Sequence, residues 1–202
     1  MNIDHRRRQR GSSLIIVILI VALLAAIGIP LLTMTRMGRT IAGSARTHEE
    51  AFNAAEAGFE NARLLIDGFF STGVWTGFAG HYLTQPTGID VPADAEGNPN
   101  ASYFRRRSDQ DLLAAFDSDG DGTANVPNLL AFHQTFGVDG RGATVPRVTY
   151  TVFLIDDEAG GGTSDPSDAL LVSIGTVRSG NRILDSVRLE ILIGFEIKNP
   201  VP

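Results

Sequence analysis

One stretch without a charged residue, from Gly11 to Thr35 between Arg10 and Arg36, limits what this chain can become more than any other feature. As a helix its about 25 residues would reach roughly 37 Å at 1.5 Å per residue. A hydrocarbon core of about 30 Å needs only about 20 residues. The run therefore predicts a transmembrane span over residues 12–35, behind a basic leader at 1–11. Arg6, Arg7, Arg8 and Arg10 set the amino end as cytoplasmic under the positive-inside rule. Arg36, Arg39 and Arg46 follow the span and weigh against that orientation, which rests partly on the short leader being easy to retain. A cleaved secretory peptide has the same order of parts. Here the apolar run is longer than a typical signal core, no small-x-small site closes it, and helix-compatible sequence continues beyond. A plain signal anchor is the other simple reading.

Past the span the composition changes and the helical period does not. Phe52, Ala55, Phe59, Ala62 and Ile66 recur at steps of three and four and predict one apolar stripe. Glu49, Glu50, Asn53, Glu56, Glu60 and Arg63 fall largely off it. Residues 12–66 thus read as one stem helix, hydrophobic all round in its first half and amphipathic in its second. Pro30 bends such a helix without necessarily ending it. Gly28, Gly38, Gly43 and Gly58 weaken it locally by about 1 kcal/mol each against alanine.

Three features together resemble the type IV pilin-like proteins, and among them the PilX-type minor pilins. They are the basic leader ending at Gly11, the run Ser12-Ser13-Leu14-Ile15-Ile16-Val17-Ile18-Leu19-Ile20, and the segment Ala51-Phe52-Asn53-Ala54-Ala55-Glu56-Ala57-Gly58. Ala55, Glu56, Ala57 and Gly58 form the most specific part of that match. The resemblance covers about the first 66 residues well and the rest only in general layout. It implies a prepilin peptidase that cuts after Gly11 and methylates the new amino terminus on Ser12. It also implies residence in a bacterial inner membrane, single-pass with the amino end in the cytoplasm. The stem would then pack against other pilins in a filament at the cell surface. Most pilins carry glutamate as the fifth mature residue, and here that position is Ile16. The family's carboxylate meets a neighbour's terminal ammonium in an apolar core, where an unpaired charge is costly. Its absence points to a subunit at or near a tip rather than the repeating one.

The remainder, residues 67–202, reads as one extracytoplasmic domain. It has no cysteine, which excludes disulfides and thiolate metal sites. The chain's net charge is −6, and the leader alone carries +3 (Asp4 against Arg6, Arg7, Arg8 and Arg10), leaving about −9 beyond it. So acidic a chain is a poor nucleic-acid binder, and no specific nucleic acid is expected. Residues 71–107 read as an irregular excursion fastened by Trp75, Phe78 and Tyr82, and Arg105, Arg106 and Arg107 as a solvated run. Val148, Tyr150, Val152 and Leu154 alternate along one strand, and Leu170–Val177 forms a second. A third follows the Ser179-Gly180-Asn181 turn, with Val187, Leu189, Ile191, Ile193, Phe195 and Ile197 on one face and Arg188, Glu190, Glu196 and Lys198 on the other. That alternation predicts an antiparallel sheet with one face on the stem helix and one on water.

The sharpest chemical motif is Asp117-Ser118-Asp119-Gly120-Asp121-Gly122-Thr123-Ala124-Asn125. Asp117, Asp119 and Asp121 at positions one, three and five, glycine at six, the Thr123 carbonyl at seven and Asn125 at nine match a calcium loop over 117–128. Asn128 takes position twelve in place of the usual bidentate glutamate, which predicts a Ca²⁺ affinity of only about 10⁻⁴ to 10⁻³ M. Ser108 and Asp111 form a capping box that opens a helix before the loop, and Leu129, Phe132 and Phe136 predict a second helix after it, closed by Gly137. Asp156, Asp157, Glu158, Asp165 and Asp168 mark a further acidic region around the Gly160-Gly161-Gly162 run.

His5, His48, His81 and His133 are scattered, and no zinc-protease, nucleophile-elbow or phosphate-loop motif is present. His133 reads as a surface or half-buried helix residue. The fold expected is α+β and pilin-like: a long amino-terminal helix on an antiparallel sheet, with an inserted helix–loop–helix of calcium type. The function expected is a structural filament subunit and not an enzyme. The rival is a signal-anchored, calcium-dependent binding module that never polymerises.

Overall fold

The computed structural model describes residues 5–93, 96–137, 145–156, 167–180 and 182–194, with side chains from Leu14 onward. The chain divides into two units, Met1–Ala45 and Arg46–Pro202. Helix α1, His5–Ser71, begins in the first and ends in the second, with Pro30 inside it.

In the first unit the described side chains of α1 are almost uniformly exposed, from Leu14 through Ile41. It is the one helix, among the described residues, long and apolar enough to cross a membrane. The threonines in and just beyond the apolar run are satisfied locally. Thr33, Thr35 and Thr40 donate their hydroxyls to the carbonyls of Ile29, Leu31 and Arg36 at 3.0, 2.9 and 3.1 Å. A hydroxyl bonded to its own helix adds no unmet polar group in hydrocarbon.

The second unit is built on a four-stranded antiparallel sheet in the order β1-β2-β3-β4. The strands are β1 Leu129–Thr135, β2 Val148–Ile155, β3 Asp168–Ser179 and β4 Arg182–Gly194. β2 and β3 pair without a slip from Val148↔Val177 to Ile155↔Leu170. A short helix, α2 (Asp109–Phe116), packs on the side of the sheet away from α1. Ser108 caps it by accepting the Asp111 N–H at 3.2 Å while its hydroxyl donates to Asp111 Oδ2 at 2.6 Å, as the Ser-x-x-Asp spacing predicts.

Four expectations are corrected here. First, β2 is buried at every position, and β3 nearly so, so neither face of the central sheet meets water. Tyr150, Val152, Leu154 and Leu171 face α1, while Phe153, Ile155, Val172 and Ile174 face Leu83, Ile89, Phe104, Leu112 and Phe116. The excursion after α1 supplies that third layer, because its aromatic and aliphatic residues need a surface and the sheet offers one. Secondly, the polar face of β4 grips this layer instead of solvent. Arg188 pairs with Asp109 and donates to the carbonyls of Phe104 and Arg107 at 3.0 and 3.1 Å. Glu190 pairs with Arg105 at 2.7 Å, so the arginine run is only partly solvated.

Thirdly, Leu129–Thr135 is a strand, not the second helix of a helix–loop–helix. Two register irregularities interrupt its pairing to β2, at Leu129/Ala131 and Ala131/Gln134. A bulge puts two residues opposite one and breaks the period of two. The resulting apolar spacing resembles a helical one. Fourthly, the buried stripe of α1 is rotated from the one the phenylalanines suggested. Ala51, Ala54, Ala55, Gly58, Ala62 and Ile66 are buried, while Phe52 stays 42% exposed.

The cause of that rotation is closeness of approach. A Cβ on Gly175 of β3 would lie 2.0 Å from the Ala51 carbonyl oxygen and 2.5 Å from the Ala55 nitrogen. A Cβ on Gly58 would lie 2.6 Å from Ser173 Oγ. Ser173 donates that hydroxyl to the Ala55 carbonyl at 2.7 Å, and Asn61 donates to the Tyr150 hydroxyl at 2.7 Å. Helix backbone thus rests on strand backbone, which only alanine and glycine permit. The excursion is fastened as predicted: Trp75, Phe78 and Tyr82 are buried, and the Trp75 ring stacks between Phe69 at 4.8 Å and His81 at 3.9 Å.

Candidate functional site

Two places in the chain carry functional residues, the stem and the 117–128 loop. Gly11 and Ser12 lie within α1, and their side chains fall outside the described residues. Ile16 is exposed among equally exposed apolar neighbours. In the motif Ala55-Glu56-Ala57-Gly58, Ala55 and Gly58 form the close seat on β3 just described, whereas Glu56 is exposed and Ala57 half-buried. The small residues of the motif therefore have a packing cause within one chain.

The loop follows α2 and ends at β1. Gly120 and Gly122 take left-handed backbone at φ 73° and 88°, which the tight turn between the aspartates needs. Asp117 Oδ2 accepts the Gly122 N–H at 3.0 Å, and Asp121 Oδ1 accepts the Thr123 N–H at 2.7 Å and its hydroxyl at 2.6 Å. Those two Thr123 bonds hold the Asp121 carboxyl below its usual pKa, the hydroxyl bond being the larger cause. Asp119 Oδ2 accepts from Asn125 Nδ2 at 3.3 Å.

Whether these residues suit a hard cation is decided by their donors. Asp117, Asp119 and Asp121 each offer a carboxylate oxygen within 4.8 Å of the others. Asp117 Oδ1 is buried and has no hydrogen-bond partner among the described residues, an arrangement that a cation would relieve. Positions one, three and five therefore fit Ca²⁺. Positions nine and twelve make hydrogen bonds of their own. Asn125 Oδ1 accepts from the Ser118 N–H at 2.8 Å, bracing the loop. Asn128 donates its amide nitrogen to the carbonyls of Gly80 and Tyr82 at 3.2 and 3.0 Å, which fastens the end of the loop to the excursion.

Beside the loop the sheet contributes two residues that sequence reasoning did not connect with it. His133 stands on β1 within the second irregularity, with left-handed backbone at φ 45° and its N–H on Thr151 Oγ1 at 3.2 Å. Its Nε2 lies 2.6 Å from a guanidinium nitrogen of Arg178, near the end of β3. Burial, with Arg178 second, depresses the histidine to about 4, against a smaller opposing pull from Asp117. The ring is thus neutral near pH 7 and accepts from Arg178. No sequence signal ties His133 or Arg178 to the loop. Sheet order alone brings them there.

The second acidic region is not assembled among the described residues. Asp157, Glu158, Asp165 and the Gly160-Gly161-Gly162 run lie outside them, as does the distal part of the last strand, Phe195–Lys198. Asp168 opens β3, where its backbone carbonyl accepts the Tyr82 hydroxyl at 2.8 Å.

Comparison with known families matches residues 10–60 to the family described as PilX N-terminal. The match covers most of the stem, ends within α1 and stops before the sheet. Comparisons with curated proteins and with solved structures gave no match.

Proposed function

We propose that this chain, whose residues 10–60 match the family described as PilX N-terminal, is a type IV pilin-like minor pilin that primes assembly or sits at a filament tip. In this reading a prepilin peptidase cuts after Gly11 and methylates Ser12. The protein waits in the inner membrane with its body outside, and then exchanges lipid for the stems of other pilins. One observation carries the reading: the family match takes in Leu14–Ile41, where the apolar side chains are exposed. Exposed apolar surface of that extent marks a membrane or protein contact. The body, by contrast, fills its own core from both sides of the sheet.

Mass spectrometry of the mature amino terminus tests the processing, with methylated Ser12 expected. Recovery of the protein with sheared filaments tests assembly. An intact leader and a protein confined to the membrane would instead favour the tethered, non-polymerising module. The tip assignment is tested by Ile16→Glu, which supplies the missing register charge and should spread the subunit along filaments. An unchanged distribution would remove its basis.

As part of the same proposal the loop binds Ca²⁺ weakly through Asp117, Asp119, Asp121 and the Thr123 carbonyl. The converging oxygens and the orphaned Asp117 Oδ1 support this. Bound there, the ion would supply charge balance and order to the link between α2 and β1. Titration calorimetry on the full-length protein in detergent tests it. A fragment beginning at residue 67 would lack Ala51–Ile66, which cover one face of the sheet.

A further inference from the structure

The α2 side of the sheet ends in a cavity of about 410 Å³. Leu113 and Ile183 give it an apolar wall, and Asp117, Asp121, His133 and Arg178 give it a polar one. Its volume falls in the range of small-ligand sites, about 300–1,000 Å³.

Arg178 is the unusual member. Arg105, Arg147 and Arg188 each hold a carboxylate, of Glu190, Glu50 and Asp109. Arg178 is less exposed than Arg105 or Arg147, yet it forms no ion pair among the described residues. Its side chain bonds a neutral histidine, which accepts a hydrogen bond and brings no charge. Its Nε is buried without a partner among the described residues. A half-buried cation in this state is costly unless a counter-charge arrives. Asp117 acts on Arg178 electrostatically but makes no salt bridge to it among the described residues, and its Oδ2 is held by the Gly122 N–H.

The other wall explains when an anion could enter. Asp117, Asp119 and Asp121 lie together and would repel it. A divalent cation on the loop would draw those three carboxylates to itself, Asp117 included, and so leave Arg178 open to another anion. We propose that the cavity binds a small carboxylate ligand on Arg178, and does so only when the neighbouring loop holds a divalent cation. The inference rests on the calcium reading given above. The carboxylate meets a planar fork suited to it, while the carbon skeleton lies against Leu113 and Ile183.

The test is calorimetric titration of full-length protein in detergent with glucuronate, and with glucose as the same ring lacking the carboxylate. Each is run in millimolar calcium and in chelator. In calcium, glucuronate should bind at least about tenfold more tightly than glucose, as a charge-assisted hydrogen bond allows. Chelator should abolish the difference. So should Arg178→Gln, with the calcium-dependent rise in melting temperature preserved as evidence of an intact fold. Should that variant lose the rise, Arg178→Lys, which keeps the charge and loses the fork, takes its place and is expected to lose part of the advantage. If calcium binds and neither glucuronate, lactate nor acetate exceeds glucose, the pocket proposal is overturned and the calcium reading stands. Arg178-dependent binding of glucuronate with no calcium heat would overturn both the coupling and the calcium reading.

Discussion

Where α1 crosses Gly175 the sheet is met by opposite means from those on the α2 side. Toward α1 the contact is made by the smallest residues available, Ala51, Ala54, Ala55, Gly58 and Gly175, with backbone against backbone. Toward α2 it is made by the largest, Phe104, Phe116 and Phe153, whose rings meet edge to face at 5.3 to 6.5 Å. The first face has no room to give and the second has bulk to lose. The lesson is that burial alone does not rank positions here. The distance between backbones sets whether adding or removing atoms does the damage.

The comparison can be broken most forcefully at its largest effects. Phe153→Ala should cost about 3–5 kcal/mol, the range for deleting a buried ring. Gly175→Ala should cost as much from one added methyl, at or above the top of the usual range of about 1–3 kcal/mol, because the obstruction is helix backbone. Urea unfolding of the full-length protein in detergent measures both. A mild Gly175→Ala would refute the account of the α1 face. Gly58→Ala sharpens the contrast, since its methyl would meet the side chains of Ser173 at 2.6 Å and Tyr150 at 2.8 Å rather than backbone, and it gains about 1 kcal/mol of helix propensity. It should cost clearly less than Gly175→Ala.

Smaller effects belong to the α2 side. Ten-millimolar Ca²⁺ acting on a site of about 10⁻⁴ to 10⁻³ M would stabilise by about 1.4–2.7 kcal/mol. That appears as a rise in melting temperature which chelator reverses and Asp117→Asn removes. Last comes His133. Its pKa in the fold, about 4, is below the ordinary value of 6.5, so the unfolded chain binds the proton first. Stability is then full above about pH 6.5 and declines as pH falls toward 4. His133→Gln should flatten that part of the pH profile while leaving the carboxylate contribution below it.

What could be read in advance depended on how local the cause was. The Ser108–Asp111 cap, the strands β2 and β3 and the aromatic anchors of the excursion are all visible within a few residues. The stripe on α1 was displaced because hydrophobic size is a poor guide where a strand glycine invites close contact. Bulges hid β1, whose spacing resembled a helix. The aspartates of the loop were legible from their spacing, yet the fastening of Asn128 to Gly80 and Tyr82 was not, because those carbonyls belong to a segment more than forty residues earlier.

The sequence by itself determined the stem. An uncharged run is apolar whatever surrounds it, and its need for lipid or other stems follows from solvation alone. It determined the loop's chemistry too, since three carboxylates at alternate positions repel one another in any conformation. Only the tertiary structure decided what stands beside that loop. His133 and Arg178 are 45 residues apart and meet because β1 and β3 flank β2. Hydrogen-bond register between strands is a long-range choice that neither residue records in its own neighbourhood.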